Sequence, residues 1–262
     1  MGSKRNIIFL CFTFTVTWIS WWLLSYLTQI EVIEFQSTIG QLIFIIGGSS
    51  PTVGAYVAVA LTKNEGSLSE FNSRVFKVKV KGIFYFFAIF TPVALGILGL
   101  GIVSIIDSQY ISQYPPEPIY FFITAFLISI VLGGIEEFGW RGILQPSLTR
   151  QLNLLVANFI IGIIWALWHL PLFYIVGAHH QGNSFFLFTL AAIGYSSFLT
   201  WLYAKTNSIF LCVLFHAAIN ATAIIGFSVS MIETAVYFYS AIFVFVSGTL
   251  FLLLVPKSKN NH

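Results

Sequence analysis

The chain has 262 residues, of which 58% are hydrophobic and only 8% are charged. A soluble domain carries roughly 25% charged residues, so the composition excludes a water-soluble globular protein and makes the lipid bilayer the expected partner. The net charge of +3 is small, and no nucleic-acid partner is expected.

Apolar runs of the length that a bilayer requires, about 20 residues, follow one another along the whole chain. The predicted spans are 6–28, 39–62, 82–106, 118–148, 154–176, 184–204, 208–228 and 232–255. They predict an all-α integral membrane protein, a bundle of about eight transmembrane helices forming a single transmembrane domain over residues 1–262. The first run follows Lys4 and Arg5 as a signal peptide would, but it is long and aromatic, so a retained span is expected.

The basic residues predict the orientation. If the N-terminus is cytoplasmic and the spans alternate, all twelve Lys and Arg residues fall on the cytoplasmic side or in the cytoplasmic half of a helix, as the positive-inside rule requires. Five acidic residues fall on the other side: Glu31, Glu34, Asp107, Glu117 and Glu233. Both termini are therefore expected in the cytoplasm, with the protein in a cell membrane, and the short loops are typical of a bacterial plasma membrane protein.

Two segments have simpler expected roles. The basic, amphipathic segment 63–81 is expected to lie at the inner leaflet and contact anionic lipid headgroups, as a strand or a surface-lying stretch. Small residues between Gly47 and Ala55 favour close packing of the second span against another helix. Pro171 predicts a kink in the fifth span that leaves the Leu167 carbonyl without its helical donor.

Ionisable residues inside spans are costly, so each is a functional-site hypothesis. Residues 135–143 read IEEFGWRGI, in which Glu137 and Arg141 are i,i+4 neighbours and form a natural pair. Glu136 points about 100° away and is left without a local cation.

The other candidate groups lie in the fifth and seventh spans. His169 lies in an otherwise apolar helix, and His216 and Asn220 share one helical face at i,i+4 spacing. At 1.5 Å per residue, Glu136, His169 and His216 lie about 21, 22 and 12 Å from the cytoplasmic ends of their helices. All three helices therefore bring these groups into the middle layer of the membrane, where they can meet.

A carboxylate, two imidazoles and an amide are the groups that peptide hydrolysis needs. In one version Glu136 and His169 activate a water molecule, and His216 and Asn220 stabilise the oxyanion. In the other, Glu136, His169 and His216 bind zinc, whose water is the nucleophile.

Three motifs in order resemble one family. Glu-Glu-x-x-x-Arg at Glu136 to Arg141, aromatic-x-x-x-His at Trp165 and His169, and His-x-x-x-Asn at His216 and Asn220 are similar to the CPBP family, also called Abi, which includes the type II CAAX prenyl endopeptidases. The resemblance covers about residues 120–228, as a CPBP-like catalytic core. Trp165 departs from the family, which usually has phenylalanine there.

The resemblance implies the site and its chemistry. Glu136 would be the catalytic base, Glu137 with Arg141 a supporting pair beside the aromatic Trp165, and His169, His216 and Asn220 the remaining active-site groups. It implies an intramembrane endopeptidase that needs no cofactor, with zinc as the alternative. The implied substrate is a peptide or lipidated protein in the membrane, prenylated in the eukaryotic members.

Other functions fit parts of the pattern. A non-catalytic membrane scaffold in bacteriocin immunity or cell-envelope regulation is the main alternative. A thiol protease using Cys212, His216 and Asn220 leaves Glu136 and His169 unexplained. A coupled transporter also uses buried Glu and His, but no internal repeat is visible. His179 and His180 are expected to lie in a solvated outer loop.

Overall fold

The fold is described by a computed structural model that covers residues 3–113, 115–226 and 234–254. Its longer helices are α1 (Lys4–Gln29), α2 (Thr38–Leu61), α3 (Leu68–Val75), α4 (Gly82–Ile106), α5 (Phe121–Val131), α6 (137–149), α7 (Leu154–His169), α8 (Phe185–Thr206), α9 (Ile209–Ile224) and α10 (Thr234–Leu254). Short helical turns lie at Lys63–Glu65, Tyr110–Gln113, Gly134–Glu136 and Leu170–Tyr174. Within these residues there is no strand, so the predicted all-α membrane bundle is confirmed.

Polar side chains begin several of these helices. Ser37, Asn153, Ser184 and Ser208 each accept a hydrogen bond from the backbone N–H of the third residue after them. These side chains satisfy N–H groups that have no partner in the first turn of a helix. They explain why the apolar runs start where they do.

Seven helical stretches of the described chain are long and apolar enough to cross a membrane. The predicted spans 39–62, 82–106 and 184–204 agree with α2, α4 and α8 to within two residues. The predicted span 208–228 is the shorter helix α9, of 16 residues. Residues 227–228, 232–233 and 255 of the last two predicted spans, with Lys257 and Lys259, lie outside the described residues.

Helix α9 is the centre of the bundle. It is buried on nearly every side and packs against α4, α5 and α8. A helix that is apolar all round is stable only when other helices or lipid surround it. At about 24 Å it is shorter than a typical span, and its neighbours cover the surface that lipid would otherwise contact.

The fourth predicted span is not one continuous helix. Helix α5 ends at Val131, a 3₁₀ turn follows at Gly134–Glu136, and helix α6 contains a π-helical turn at Trp140–Leu144. A Cβ atom at Gly134 would lie 2.7 Å from the Val213 carbonyl oxygen, so the glycine lets this break approach α9. The π-helical turn lies between Glu136 and Arg150, so a rise of 1.5 Å per residue does not hold over the whole of that stretch.

The fifth predicted span also differs from a kinked helix. Helix α7 ends at His169, and the 3₁₀ turn Leu170–Tyr174 continues it. The Leu167 carbonyl, expected to lose its donor, accepts a hydrogen bond from the Leu170 N–H. The α-helix ends here because Pro171 has no N–H to donate to the Leu167 carbonyl. The 3₁₀ turn supplies the Leu170 N–H in its place.

The remaining expectations concern α1 to α3. Gly47 packs on the Trp21 ring, which confirms the close approach of α1 and α2. Segment 63–81 contains the capped helix α3, whose Phe71 and Val75 are buried. It is therefore anchored to the bundle, while its contact with lipid and the orientation of both termini stay predictions.

Candidate active site

Glu136 ends the 3₁₀ turn in the broken fourth span, and its side chain is buried. Its Oε2 accepts a hydrogen bond from Trp165 Nε1 at 3.1 Å. Among the described residues it forms no ion pair, as the sequence predicted. The carboxylate is therefore held by an aromatic N–H rather than by a cation.

Glu137 lies beside it and has different partners. Its Oε2 is 3.1 Å from Arg141 Nη1, so the predicted pair is present. Its Oε1 is 2.8 Å from His216 Nδ1, a contact that the sequence did not indicate. Arg141 Nη2 also donates to Ser196 Oγ at 2.8 Å. Glu137 thus joins α6 to α9 and fixes the ring of His216.

His169 is the last residue of α7. Its Nδ1 lies 2.8 Å from the Trp165 carbonyl oxygen. Because a carbonyl oxygen only accepts, the Nδ1–H donates, and Nε2 keeps a lone pair that can accept a proton or a hydrogen bond. The ring packs edge-on against Trp168 and Phe188.

His216 and Asn220 lie on one face of α9, as predicted. A Cβ atom built on Gly133 would be 2.3 Å from Asn220 Nδ2 and 3.7 Å from His216 Nε2. Both nitrogens therefore face the same stretch of backbone at the break in the fourth span. With Nδ1 bound to Glu137, His216 presents Nε2 on this side.

The Trp165 ring lies between the other groups. Its centroid is 5.2 Å from that of His216 and 5.5 Å from that of His169, both edge to face. The sequence identified Trp165 only as an aromatic position. A buried indole N–H needs a partner, and this requirement was the available signal for its bond to Glu136.

The loop between α7 and α8 reaches the same region. The His180 ring lies 6.2 Å from the ring of His169 and packs edge-on against Phe173 and Phe188. The prediction of a solvated loop is therefore wrong for His180, which is partly buried, while His179 is exposed. Two phenylalanines that face this loop give the ring an apolar site.

Glu136, His169 and His216 are the predicted ligands if zinc is bound. In the described part of the chain, no group of three or more His, Cys, Asp or Glu side chains is placed to hold a metal ion. His169 and His216 each commit Nδ1 to a hydrogen bond, which leaves one nitrogen per ring. One nitrogen per ring is what a metal ligand needs, but the three side chains as placed are not grouped to hold a zinc ion.

A thiol protease would need the Cys212 thiol hydrogen-bonded to the His216 imidazole, and these two groups are not bonded to each other. Cys212 Sγ donates to the Ser208 carbonyl oxygen one turn back, at 3.4 Å. His216 Nδ1 is bonded to Glu137. The thiol and the imidazole therefore have separate partners.

The arrangement gathers complementary groups at one place. Glu136 and the free Nε2 of His169 are proton acceptors, and Asn220 Nδ2 is a donor. Glu137 and Arg141 lie behind this site, where both are fully buried. Such a set can activate water and stabilise a developing negative charge.

Comparison with known proteins gives the same family. The family described as type II CAAX prenyl endopeptidase Rce1-like matches residues 118–222. The chain is 30% identical over 249 residues to CAAX prenyl protease 2 of Methanococcus maripaludis, an alignment that covers 87% of this chain and 89% of the relative. It is 24% identical over 200 residues to lysostaphin resistance protein A of Staphylococcus epidermidis, covering 74% of this chain and 50% of the relative. The chain is therefore a multi-pass membrane protein that belongs to the Rce1-like family of CAAX prenyl endopeptidases.

Proposed function

We propose that the protein is an intramembrane endopeptidase in which Glu136 activates water to hydrolyse a peptide bond. The observation that carries the proposal is that the two adjacent carboxylates have different bonding partners. Glu137 is bonded to Arg141 and His216, whereas Glu136 is held by the neutral indole of Trp165. A carboxylate held by one neutral donor keeps lone pairs that can accept a proton from water.

The proposed reaction is an addition of water to the scissile carbonyl, followed by elimination of the amine. Glu136 takes a proton from water, and the water oxygen attacks the scissile carbonyl carbon while the carbonyl electron pair moves to its oxygen. His169 Nε2 accepts a hydrogen bond from the same water and orients it. The oxyanion pair then re-forms the C=O bond as the C–N bond breaks, and the C–N electron pair leaves with the nitrogen, which takes the proton from Glu136.

His216 and Asn220 are proposed to stabilise the oxyanion. Asn220 Nδ2 and His216 Nε2 face the same backbone stretch at Gly133. Asn220 donates through its amide, and His216 donates from Nε2 when its ring is protonated, a form that the Glu137 carboxylate stabilises. Donors aimed at a developing oxyanion act strongly in a site that excludes water.

The proposed substrate is a membrane-associated peptide, with a prenylated C-terminal peptide as the first to test. The archaeal relative is named a CAAX prenyl protease, and it aligns over most of both chains. The position of the site within the helical bundle also favours a substrate that reaches it from the membrane.

A peptide library tests the proposal. Purified wild type and Glu136→Gln are compared on fluorogenic C-terminal peptides with and without a prenyl group, with metal content measured on the same samples. We expect cleavage by wild type and a loss of about 10²- to 10⁴-fold in Glu136→Gln. Cleavage that survives the substitution contradicts the mechanism, and stoichiometric zinc lost in His169→Ala and His216→Ala would replace it with the metal version.

The name of the staphylococcal relatives favours a second candidate, a non-catalytic membrane scaffold. These relatives are resistance proteins by name, at 24% identity. The scaffold predicts that a cellular output of the protein is retained in Glu136→Gln. The protease predicts that this output is lost together with cleavage.

A further inference from the structure

Trp165 contacts each of the three ionisable groups of the candidate site. Its indole Nε1 donates to Glu136 Oε2 at 3.1 Å, and its backbone oxygen accepts from His169 Nδ1 at 2.8 Å. Its ring meets the rings of His169 and His216 edge to face. The side chain is 5% exposed, so these contacts are made away from bulk water.

The indole bond restricts what Glu136 can do. A carboxylate has two oxygens and about four lone-pair positions, and an indole N–H is a donor only. The bond holds Oε2 against Trp165, so Oε1 is the oxygen that this indole leaves to accept a proton from water. Hydrogen bonds to a charged group are among the stronger ones, above all in a low-dielectric interior.

The same residue also orients the second proton acceptor. Its carbonyl oxygen fixes the Nδ1–H tautomer of His169, which leaves the lone pair on Nε2. That contact uses the backbone and persists with any side chain at position 165. The two effects of Trp165 are therefore separable, because only the first depends on the indole N–H.

We propose that Trp165 is a positioning residue, whose indole N–H sets the reacting oxygen of Glu136. The inference rests on the proposed function, since it assigns Trp165 a role through the Glu136 base. It goes beyond an aromatic packing position, because a ring without the N–H, such as the phenylalanine that is usual in the family, would pack in the same place without donating to Glu136.

The chain offers a matched control in Trp168. Trp168 is on the same helix, is 1% exposed, and donates its Nε1–H to Thr17 Oγ1 at 2.6 Å, not to a residue of the site. Trp165→Phe and Trp168→Phe each remove one buried indole N–H and keep an aromatic ring. Only the first removes a bond to Glu136.

The experiment measures kcat, KM, the pH–rate profile and the melting temperature of both variants. For Trp165→Phe we expect kcat to fall about 10- to 100-fold, the range for a hydrogen bond to a charged group, with KM within about twofold. We also expect the acid limb of its pH–rate profile to move. His216 and Glu137, the titratable groups that face Glu136, are unchanged in both variants. Trp168→Phe keeps a ring against His169 and leaves the bond from Trp165 to Glu136 intact, so its acid limb is expected to stay at the wild-type position, whatever its kcat.

A second substitution guards against loss of folding in Trp165→Phe. Benzothienylalanine at position 165 has the shape of tryptophan with sulfur in place of the N–H, so it keeps the packing and removes the donor. A wild-type kcat and pH–rate profile in this variant would overturn the proposal, whatever the stability of Trp165→Phe. If that result is obtained while Glu136→Gln is inactive, the role of Trp165 fails and the proposed function stands. If Glu136→Gln retains cleavage, both fail.

Discussion

Arg141 is fully buried and has two partner residues, Glu137 and Ser196. Glu137 lies on its own helix, and the hydroxyl and carbonyl oxygens of Ser196 lie on α8. The charge of this buried cation is matched by Glu137, and its Nη2 is hydrogen-bonded to Ser196, whereas Nε and Nη1 form no hydrogen bond among the described residues. At the residue scale, the pair stabilises the wall of the site and does not itself face the reacting groups.

Removal of one partner is therefore expected to destabilise the protein. Arg141→Met leaves the Glu137 charge buried without its cation, at a cost of roughly 3–5 kcal/mol. Thermal unfolding in detergent measures the loss. The double variant Glu137→Leu with Arg141→Met removes both charges and should be more stable than Arg141→Met alone. A double variant that is less stable than the single one would contradict this account.

At the element scale, the break between α5 and α6 decides where the site forms. The 3₁₀ turn at Gly134–Glu136 turns both carboxylates toward α9 and α7, where their partners lie. The break needs glycine because α9 approaches the backbone there. A continuous helix, as the apolar pattern predicted, would not need its backbone to lie so close to α9.

Gly133→Ala tests the contact between this break and α9. The added Cβ would lie 2.3 Å from Asn220 Nδ2, so the amide must shift from its present position. We expect kcat to fall about 10-fold or more while the melting temperature changes little, because an amide side chain can shift without disrupting the core. Gly101→Ala is the control, since a Cβ there meets nothing within 4 Å. Equal activity in the two variants would remove Asn220 from the mechanism.

The loop 175–184 gives a pH prediction. Burial lowers the pKa of His180 well below its usual value, and the neighbouring His169 and His179 add to the effect. A lowered folded-state pKa means that the packing of the neutral ring is fully present above the unfolded pKa of about 6.5 and is lost as pH falls below it. The loop is therefore expected to open on acidification.

Hydrogen exchange of residues 177–183 at pH 8 and pH 5 measures this opening. Exchange, corrected for its intrinsic pH dependence, should be faster at pH 5 in the wild type. His180→Phe keeps a ring against Phe173 and Phe188 without a titrating group, so the difference should shrink. His179→Gln, at the exposed neighbour, should keep most of it. An unchanged difference in His180→Phe contradicts the prediction.

At the scale of the whole molecule, the distribution of charge predicts the orientation in the membrane. Segment 63–81 and the end of α8 carry Lys or Arg residues, whereas the loop between α7 and α8 contains neither Lys nor Arg. By the positive-inside rule we expect the first two in the cytoplasm and the loop outside.

Cysteine labelling tests this orientation. Ser73→Cys and Asn183→Cys are made singly, with Cys11 and Cys212 replaced by Ser and Ala. In intact cells an impermeant maleimide should label Asn183→Cys, and it should label Ser73→Cys only after permeabilisation. The opposite pattern would invert the predicted topology.

Much of the fold follows from one-dimensional patterns. Run length placed α2, α4 and α8, and i,i+4 spacing placed Glu137 beside Arg141, because both depend on residues close in sequence. The contacts of Glu137 with His216 and of Trp165 with Glu136 join residues on different helices. Helical spacing alone cannot give the rotation of one helix against another. The break at Gly133 also means that the directions of Glu136 and Glu137 cannot be calculated from a straight helix through the fourth span.

The central claim is that two adjacent glutamates have different roles, and side-by-side measurement of Glu136→Gln and Glu137→Gln tests it most directly. Initial cleavage rate and melting temperature are measured on the same samples. We expect Glu136→Gln to lose about 10²- to 10⁴-fold in rate with its melting temperature within about 2 °C of wild type. Glu137→Gln should lose several degrees of melting temperature, since Arg141 then lacks its counter-charge. A Glu136→Gln variant that cleaves at the wild-type rate would contradict the account.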